Sequence, residues 1–79
     1  MTLRLKKSFG KSVRHLREAQ GMTQAELSLR CKYYQSYISR LERGQANPSL
    51  VAIGVIAESL GVTVLGLFET MQEMSRDTR

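Results

Sequence analysis

Apolar residues recur three and four positions apart along most of this 79-residue chain, and glycine, proline or a short polar residue breaks the pattern at intervals. Five helices are predicted. The first runs over about 9–20, with Phe9, Val13, Leu16 and Ala19 on one stripe and Gly21 as a left-handed stop. The second follows Thr23 as N-cap. Glu26 three residues later completes a capping box, in which each residue satisfies a backbone N–H of the other. Leu27 points inward, and Ser28 is small enough to let the next helix approach. The third helix, about 34–42, turns Ile38 and Leu41 inward and ends at Gly44. After the loop Gln45-Ala-Asn-Pro48, Ser49 caps a fourth helix that reaches Gly61, with Leu50, Ile53, Ile56, Ala57 and Leu60 inward. Thr63 caps a fifth, which holds Leu67, Phe68 and Met71. The Val62–Leu65 stretch is too short and too well capped for a strand. This divides the chain into a basic N-terminal arm (1–8), one domain (9–74) and a frayed tail (75–79).

Length and composition narrow the possibilities. A chain this short has room for one core. An apolar content of 42% argues against wholesale disorder. The single cysteine, Cys31, has no partner for an internal disulfide and reads as a small core residue, which fits a reducing cytoplasm. No apolar run approaches the roughly 18 residues of a membrane span, and Arg4, Lys6 and Lys7 are not followed by the apolar stretch of a secretory leader. His15 has no Cys or second His at ligand spacing, so no metal is expected. There is no paired-carboxylate site, Ser/His/Asp set or phosphate loop, and no length left for an effector-binding domain. An enzyme, a cofactor and a small-molecule effector are therefore not expected.

The net charge of +5 suits a polyanionic partner, and equally a merely soluble basic domain. Its distribution says more. Lys6, Lys7, Lys11 and Arg14 crowd the start, and Arg40 and Arg43 lie in the third helix and just after it. Glu58, Glu69, Glu73 and Asp77 gather toward the other end. The arm at Arg4, Lys6 and Lys7 is open to two readings, a solvated tail or a segment that trails along DNA.

Residues 23–44 read as two short helices joined by a tight turn. The major groove, about 12 Å wide, admits one helix, and a second helix packed across it fixes the register. The N–H groups after Thr23 would meet phosphate, and Gln24 can donate its amide. On the third helix, Gln35, Ser36, Ser39 and Arg40 lie opposite Ile38 and Leu41. Gln suits adenine, Arg suits guanine and Ser is permissive. Four polar residues on any exposed helix face are the plain alternative.

Leu16-Arg17-Glu18, Gly21-Met-Thr-Gln-Ala-Glu-Leu27, Tyr37-Ile-Ser-Arg-Leu-Glu-Arg-Gly44, Asn47-Pro-Ser-Leu50 and Leu60-Gly-Val-Thr63 together resemble the Cro/repressor-type helix-turn-helix family, often called XRE, in order and spacing. The resemblance spans roughly residues 9–70. It implies an all-α, five-helix, lambda-repressor-like DNA-binding domain with the helix-turn-helix at helices two and three, usually dimeric on operator DNA and acting on transcription. The short stand-alone form is similar to phage Cro-like regulators and to restriction–modification controller proteins. The resemblance gives Gln24 a phosphate-contacting and helix-anchoring place, and Gln35, Ser36 and Arg40 base-reading places. Arg43 and Gln45 take backbone-contacting places, and Arg17 and Glu42 an interhelical salt bridge.

Two departures stand out. Lys32 replaces the usual turn glycine, at a cost of about 1 kcal/mol if its backbone is left-handed; a phosphate contact is its other reading. Tyr34 stands where Ser or Thr usually caps the third helix. Tyr33 is expected in the core. Tyr37 either packs on the domain or also offers its hydroxyl to phosphate.

Family members carry charges at several exposed positions of helices four and five, where this chain has Val51, Val55 and Leu65, with Gly54 between the first two. A homodimer face of Val51, Val55, Val64, Leu65 and Phe68 is the expectation, and a monomer with a greasy surface the alternative. Such a dimer would read a palindrome with half-site centres about 34 Å apart. The reading is thus a cytoplasmic, nucleoid-associated, homodimeric regulator on double-stranded operator DNA. An antitoxin or protein-interaction module with secondary DNA binding is its rival.

Overall fold

Caps and stops of the kind just described partition the chain. In the computed structural model, which describes residues 3–77, the elements are α1 (Leu3–Ala19), α2 (Gln24–Cys31), α3 (Gln35–Glu42), α4 (Leu50–Ser59) and α5 (Val64–Asp77). No strand occurs among the described residues. At α2 the capping box closes: Thr23 Oγ1 accepts from the Glu26 N–H at 3.0 Å, and the Glu26 carboxylate accepts from the Thr23 N–H at 3.0 Å. Ser49 Oγ accepts from the Ala52 N–H at 3.0 Å and Thr63 Oγ1 from the Gly66 N–H at 2.9 Å, so polar side chains close the first turns of α4 and α5 as well.

α1 packs against α5 and α3, α2 against α3 and α4, and α4 against α5. Phe9, Val13, Leu27, Ile38, Leu41, Ile56, Leu60 and Leu67 are fully buried where these helices meet. Burial of each such side chain is worth about 1.5–3 kcal/mol relative to leaving it in water. α1 crosses α3 closely. A Cβ on Gly10 would lie 2.8 Å from the Glu42 carbonyl oxygen, nearer than real Cβ atoms come, so only glycine fits the crossing.

Three expectations are corrected. The arm at residues 3–8 is helix: α1 starts at Leu3 because Ser8 and Phe9 are buried and α5 runs beside it, with the Ser8 and Ser75 hydroxyls 3.0 Å apart. Arg4, Lys6 and Lys7 therefore sit on a helix and not in a loose tail, while residues 1–2 lie outside the described residues. At the other end α5 continues to Asp77, and 78–79 lie outside the described residues. Leu50 does not face inward but is 77% exposed. It opens α4 at the edge of the Ile53–Ile56–Ala57 stripe and, with Val51, stays outside the core, while Ala52 and Ile53 of the same turn are buried. No single helix among the described residues is long and apolar enough to cross a membrane.

Candidate nucleic-acid interface

α3 buries Ile38 and Leu41, and its period turns Ser36, Arg40 and the following Arg43 to the opposite side, with Gln35 and Ser39 at the flanks. Gln35, Ser36 and Arg40 are exposed; Ser39 is half-buried. Arg43 Nη1 donates to Ser39 Oγ at 3.0 Å, which ties Ser39 to a neighbour. Arg40 Nη2 reaches the Gln45 carbonyl at 3.5 Å, beyond the 2.7–3.2 Å of a good N–H···O bond. The guanidinium thus rests beside the α3–α4 loop in a contact that a base edge could displace. Gln45 itself is exposed, next to Arg43.

The N-terminus of α2 points its first amides outward. The Gln24 and Ala25 N–H groups precede the first helical bond, from the Leu27 N–H to the Thr23 carbonyl at 3.0 Å, so they have no acceptor within the helix. Thr23 spends its own hydroxyl and N–H in the capping box. It therefore fixes the direction of the amides that follow. The hydrogen bond from the Thr23 backbone N–H, and then the one with its side chain, hold the Glu26 carboxyl below its ordinary pKa. Gln24 Nε2 donates to Glu42 Oε1 at 3.0 Å, which places one of its two amide protons in the anchoring role.

Behind this face sits a polar cluster that joins three helices. Arg17 Nε donates to Glu42 Oε2 at 2.7 Å and Nη2 to Oε1 at 3.0 Å, a bidentate pair with side chains only 9% and 3% exposed. Arg17 Nη1 also donates to the Met22 carbonyl at 2.7 Å. The hydrogen bond to Glu42 raises the Arg17 pKa still further, so the guanidinium stays charged. With Gln24 the cluster fixes α3 relative to α1 and α2. No buried side-chain nitrogen or oxygen is left unsatisfied among the described residues, as such a cluster requires.

The turn into α3 is held more weakly. Lys32 has φ 62°, a left-handed conformation that glycine usually fills, and its N–H donates to the Ser28 carbonyl at 2.8 Å. The Ser28 hydroxyl donates to the Tyr33 carbonyl. Tyr34 is the N-cap of α3 and supplies no side-chain cap; its ring is 86% exposed. Tyr33 is half-buried against the core, and its ring meets that of Tyr37 edge-on, with centroids 5.3 Å apart at 63°. Burial, and then the neighbouring Tyr33, push the Tyr37 phenol above its ordinary pKa. Its hydroxyl therefore stays protonated and able to donate.

On the other side of the molecule α4 is apolar almost all round, and its outer face lies open. Val51 is 73% exposed, Leu65 69% and Phe68 38%. A Cβ on Gly54 would meet nothing, so the space over it is open. Val55 and Val64 are half-buried against the core and offer only part of their surface. Leu50, misplaced by the sequence pattern, adds to the exposed apolar surface. Leu65 and Phe68 line a groove of about 650 Å³ with Leu5 and Met71. Among the described residues no three His, Cys, Asp or Glu side chains gather as metal ligands, and His15 is exposed on α1.

The family comparison matches residues 13–67, most of the domain, to the helix-turn-helix family HTH_3. The chain belongs to the helix-turn-helix family of XRE-type transcriptional regulators. It is 35% identical over 75 residues to the uncharacterized HTH-type transcriptional regulator y4dJ of Sinorhizobium fredii, covering 95% of this chain and 97% of that one. Among solved structures it resembles the restriction–modification controller protein C.AhdI of Aeromonas hydrophila, at 38% identity and TM-score 0.77 over 80% of this chain and 96% of the other. It also resembles the controller protein C.Esp1396I, solved as a tetramer in complex with its natural 35-base-pair operator. That match has 25% identity and TM-score 0.84 over 90% and 93% of the two chains. The five-helix, all-α regulator fold implied by the sequence pattern is thus shown.

Four contacts that support this site are absent from the sequence pattern. Gly10 allows the α1–α3 crossing, and a lone glycine inside a helical pattern was the signal for it. Gln20 Nε2 donates to the Leu60 carbonyl at 2.7 Å and joins the ends of α1 and α4. Lys7 packs its stem on Gly44. Met22 supplies the carbonyl that completes the Arg17 cluster. For the last three no local signal exists, because each contact joins distant parts of the chain.

Proposed function

We propose that this regulator binds a specific, two-fold symmetric operator as a homodimer, in the manner of a restriction–modification controller protein. The observation that carries the reading is the outward face of α3. Gln35, Ser36 and Arg40 are exposed on a short helix whose other side is locked into the core and whose C-terminal end is tied through Glu42 to α1 and α2. Those three residues, with Ser39 at the edge, are the base readers. The amides after Thr23, the free part of the Gln24 amide, Tyr37, Arg43 and Gln45 position the domain on phosphate. The homodimer forms through Val51, Leu65 and Phe68, with the exposed parts of Val55 and Val64. The protein acts in the cytoplasm, on the nucleoid, by occupying DNA. It needs no catalysis, cofactor or small-molecule effector.

Selection from random-sequence DNA followed by gel shift tests the reading. The expected product is one palindrome with half-site centres about 34 Å apart. Enrichment of no sequence contradicts it. Sedimentation velocity tests the assembly: wild type runs as a dimer and Val51→Glu shifts it toward monomer. A wild-type monomer that assembles only with a second protein favours an antitoxin-like module instead.

A further inference from the structure

Three cations of α1 have no place in the operator-binding reading above: two of them, Arg4 and Lys7, belong to the segment that the sequence left open between a solvated arm and one trailing along DNA. Arg4, Lys7 and Lys11, three and four residues apart, fall on one face of the helix and line one shallow groove of about 340 Å³. All three are exposed. None makes an ion pair among the described residues, whereas Arg14 is paired with Glu18 and Arg17 with Glu42. The face is therefore an uncompensated positive stripe.

Its position is set by Gly44. With φ 75° the chain leaves α3 there, and a Cβ on Gly44 would stand 2.6 Å from Lys7 Cγ and 3.0 Å from Lys7 Cα. The second turn of α1 is thus pressed onto the exit of α3. The residues on either side of Gly44 are Arg43 and Gln45, both exposed and both placed on the DNA backbone in the reading above. Lys7, the middle cation of the stripe, thus stands against the backbone between Arg43 and Gln45, and the helix holds Arg4 and Lys11 at a fixed spacing on either side of it.

We propose that Arg4, Lys7 and Lys11 form a second phosphate-binding surface, which extends contact with double-stranded DNA along the sugar–phosphate backbone beyond the part reached by Arg43 and Gln45. The inference rests on the operator-binding reading. Phosphate contacts release counterions and carry no sequence information, so this surface strengthens binding to all duplexes alike.

The test is the salt dependence of binding for wild type and for the triple variant Arg4→Gln, Lys7→Gln, Lys11→Gln, on the selected operator and on unrelated duplex. Each lost contact lowers the log–log salt slope by about 0.9, and the dimer carries each residue twice, so the triple variant should lose about 5 of slope. Affinity should fall by the same factor on both duplexes, leaving their ratio unchanged. Arg30→Gln, on α2 beside Val55 and Glu58, removes a charge elsewhere and should leave the slope alone. A triple-variant slope equal to that of wild type overturns the proposal, as does an Arg30→Gln loss equal to that of a single stripe variant. If the triple variant fails to fold, Lys7→Gln and Lys11→Gln are read singly, each expected to lose about 2, one contact in each half of the dimer. Wild type that binds no duplex overturns the operator reading itself, a result distinct from a bound wild type with an unchanged triple variant.

Discussion

The two ends of α3 are held in different ways. At its entry, Lys32 sits in a left-handed conformation without the freedom of glycine, and Tyr34 caps the helix with no side-chain hydrogen bond. At its exit, Glu42 takes a bidentate pair from Arg17 and a third bond from Gln24, and Gly44 meets Lys7 in van der Waals contact. The exit is defined by contacts from α1 and α2; the entry depends on a strained turn and on Ser28 bonding the Tyr33 carbonyl. A helix anchored at one end has a fixed axis but a softer beginning. Arg40 and Arg43 are thereby aimed more firmly than Gln35 and Ser36.

Breaking the exit should have the largest effect. Arg17→Met leaves Glu42 buried without its cation, at a cost of about 3–5 kcal/mol, a large part of the 5–15 kcal/mol by which such domains are stable. The double variant Arg17→Met, Glu42→Leu should recover much of that loss, because no lone charge remains. Urea unfolding of the three proteins checks this. A single variant as stable as wild type would show that the exit is not anchored by the pair.

Repairing the entry should give a smaller gain. Lys32→Gly removes the left-handed penalty and should stabilise by about 1 kcal/mol, or about 4–8 °C in Tm for a domain of this size. Tyr34→Ser adds the missing cap, worth about 0.5–1 kcal/mol. A lower Tm in either variant would contradict the account of a weakly held entry.

The smallest effect concerns the start of α2. The folded-state pKa of Glu26 is depressed, so its contribution to stability is present above the ordinary carboxylate pKa and is lost as pH falls through the depressed value. The stability difference between wild type and Glu26→Gln, followed by thermal melts, should accordingly hold at neutral pH and shrink as the solution is acidified. A difference that stays constant with pH would mean that the capping box does not depend on ionised Glu26.

Much of this contrast was legible in the chain. The Thr23–Glu26 box, the Gly44 stop, the Ile38–Leu41 inner face and the odd residues Lys32 and Tyr34 are local features, and local features write themselves into short spacings. What escaped was non-local. Nothing near Ser8 says that α5 will lie beside it and extend α1 back to Leu3. Leu50 fits the inward stripe by period, yet α4 opens past the edge of the core. The resemblance gives Gln24 an anchoring place as well as a phosphate-contacting one, but no local feature names its anchor, Glu42, far along the chain.

The most direct test of the central claim compares Arg40→Ala with Arg43→Ala on the selected operator and on every single-base variant of one half-site. The account predicts that Arg40→Ala costs about 1–3 kcal/mol and flattens preference at one base pair per half-site. Arg43→Ala should weaken binding to all sequences equally and lower the salt slope by about 0.9 for each half-site. Full affinity and an unchanged preference profile in Arg40→Ala would contradict the assignment of the outer face of α3 as the base-reading surface.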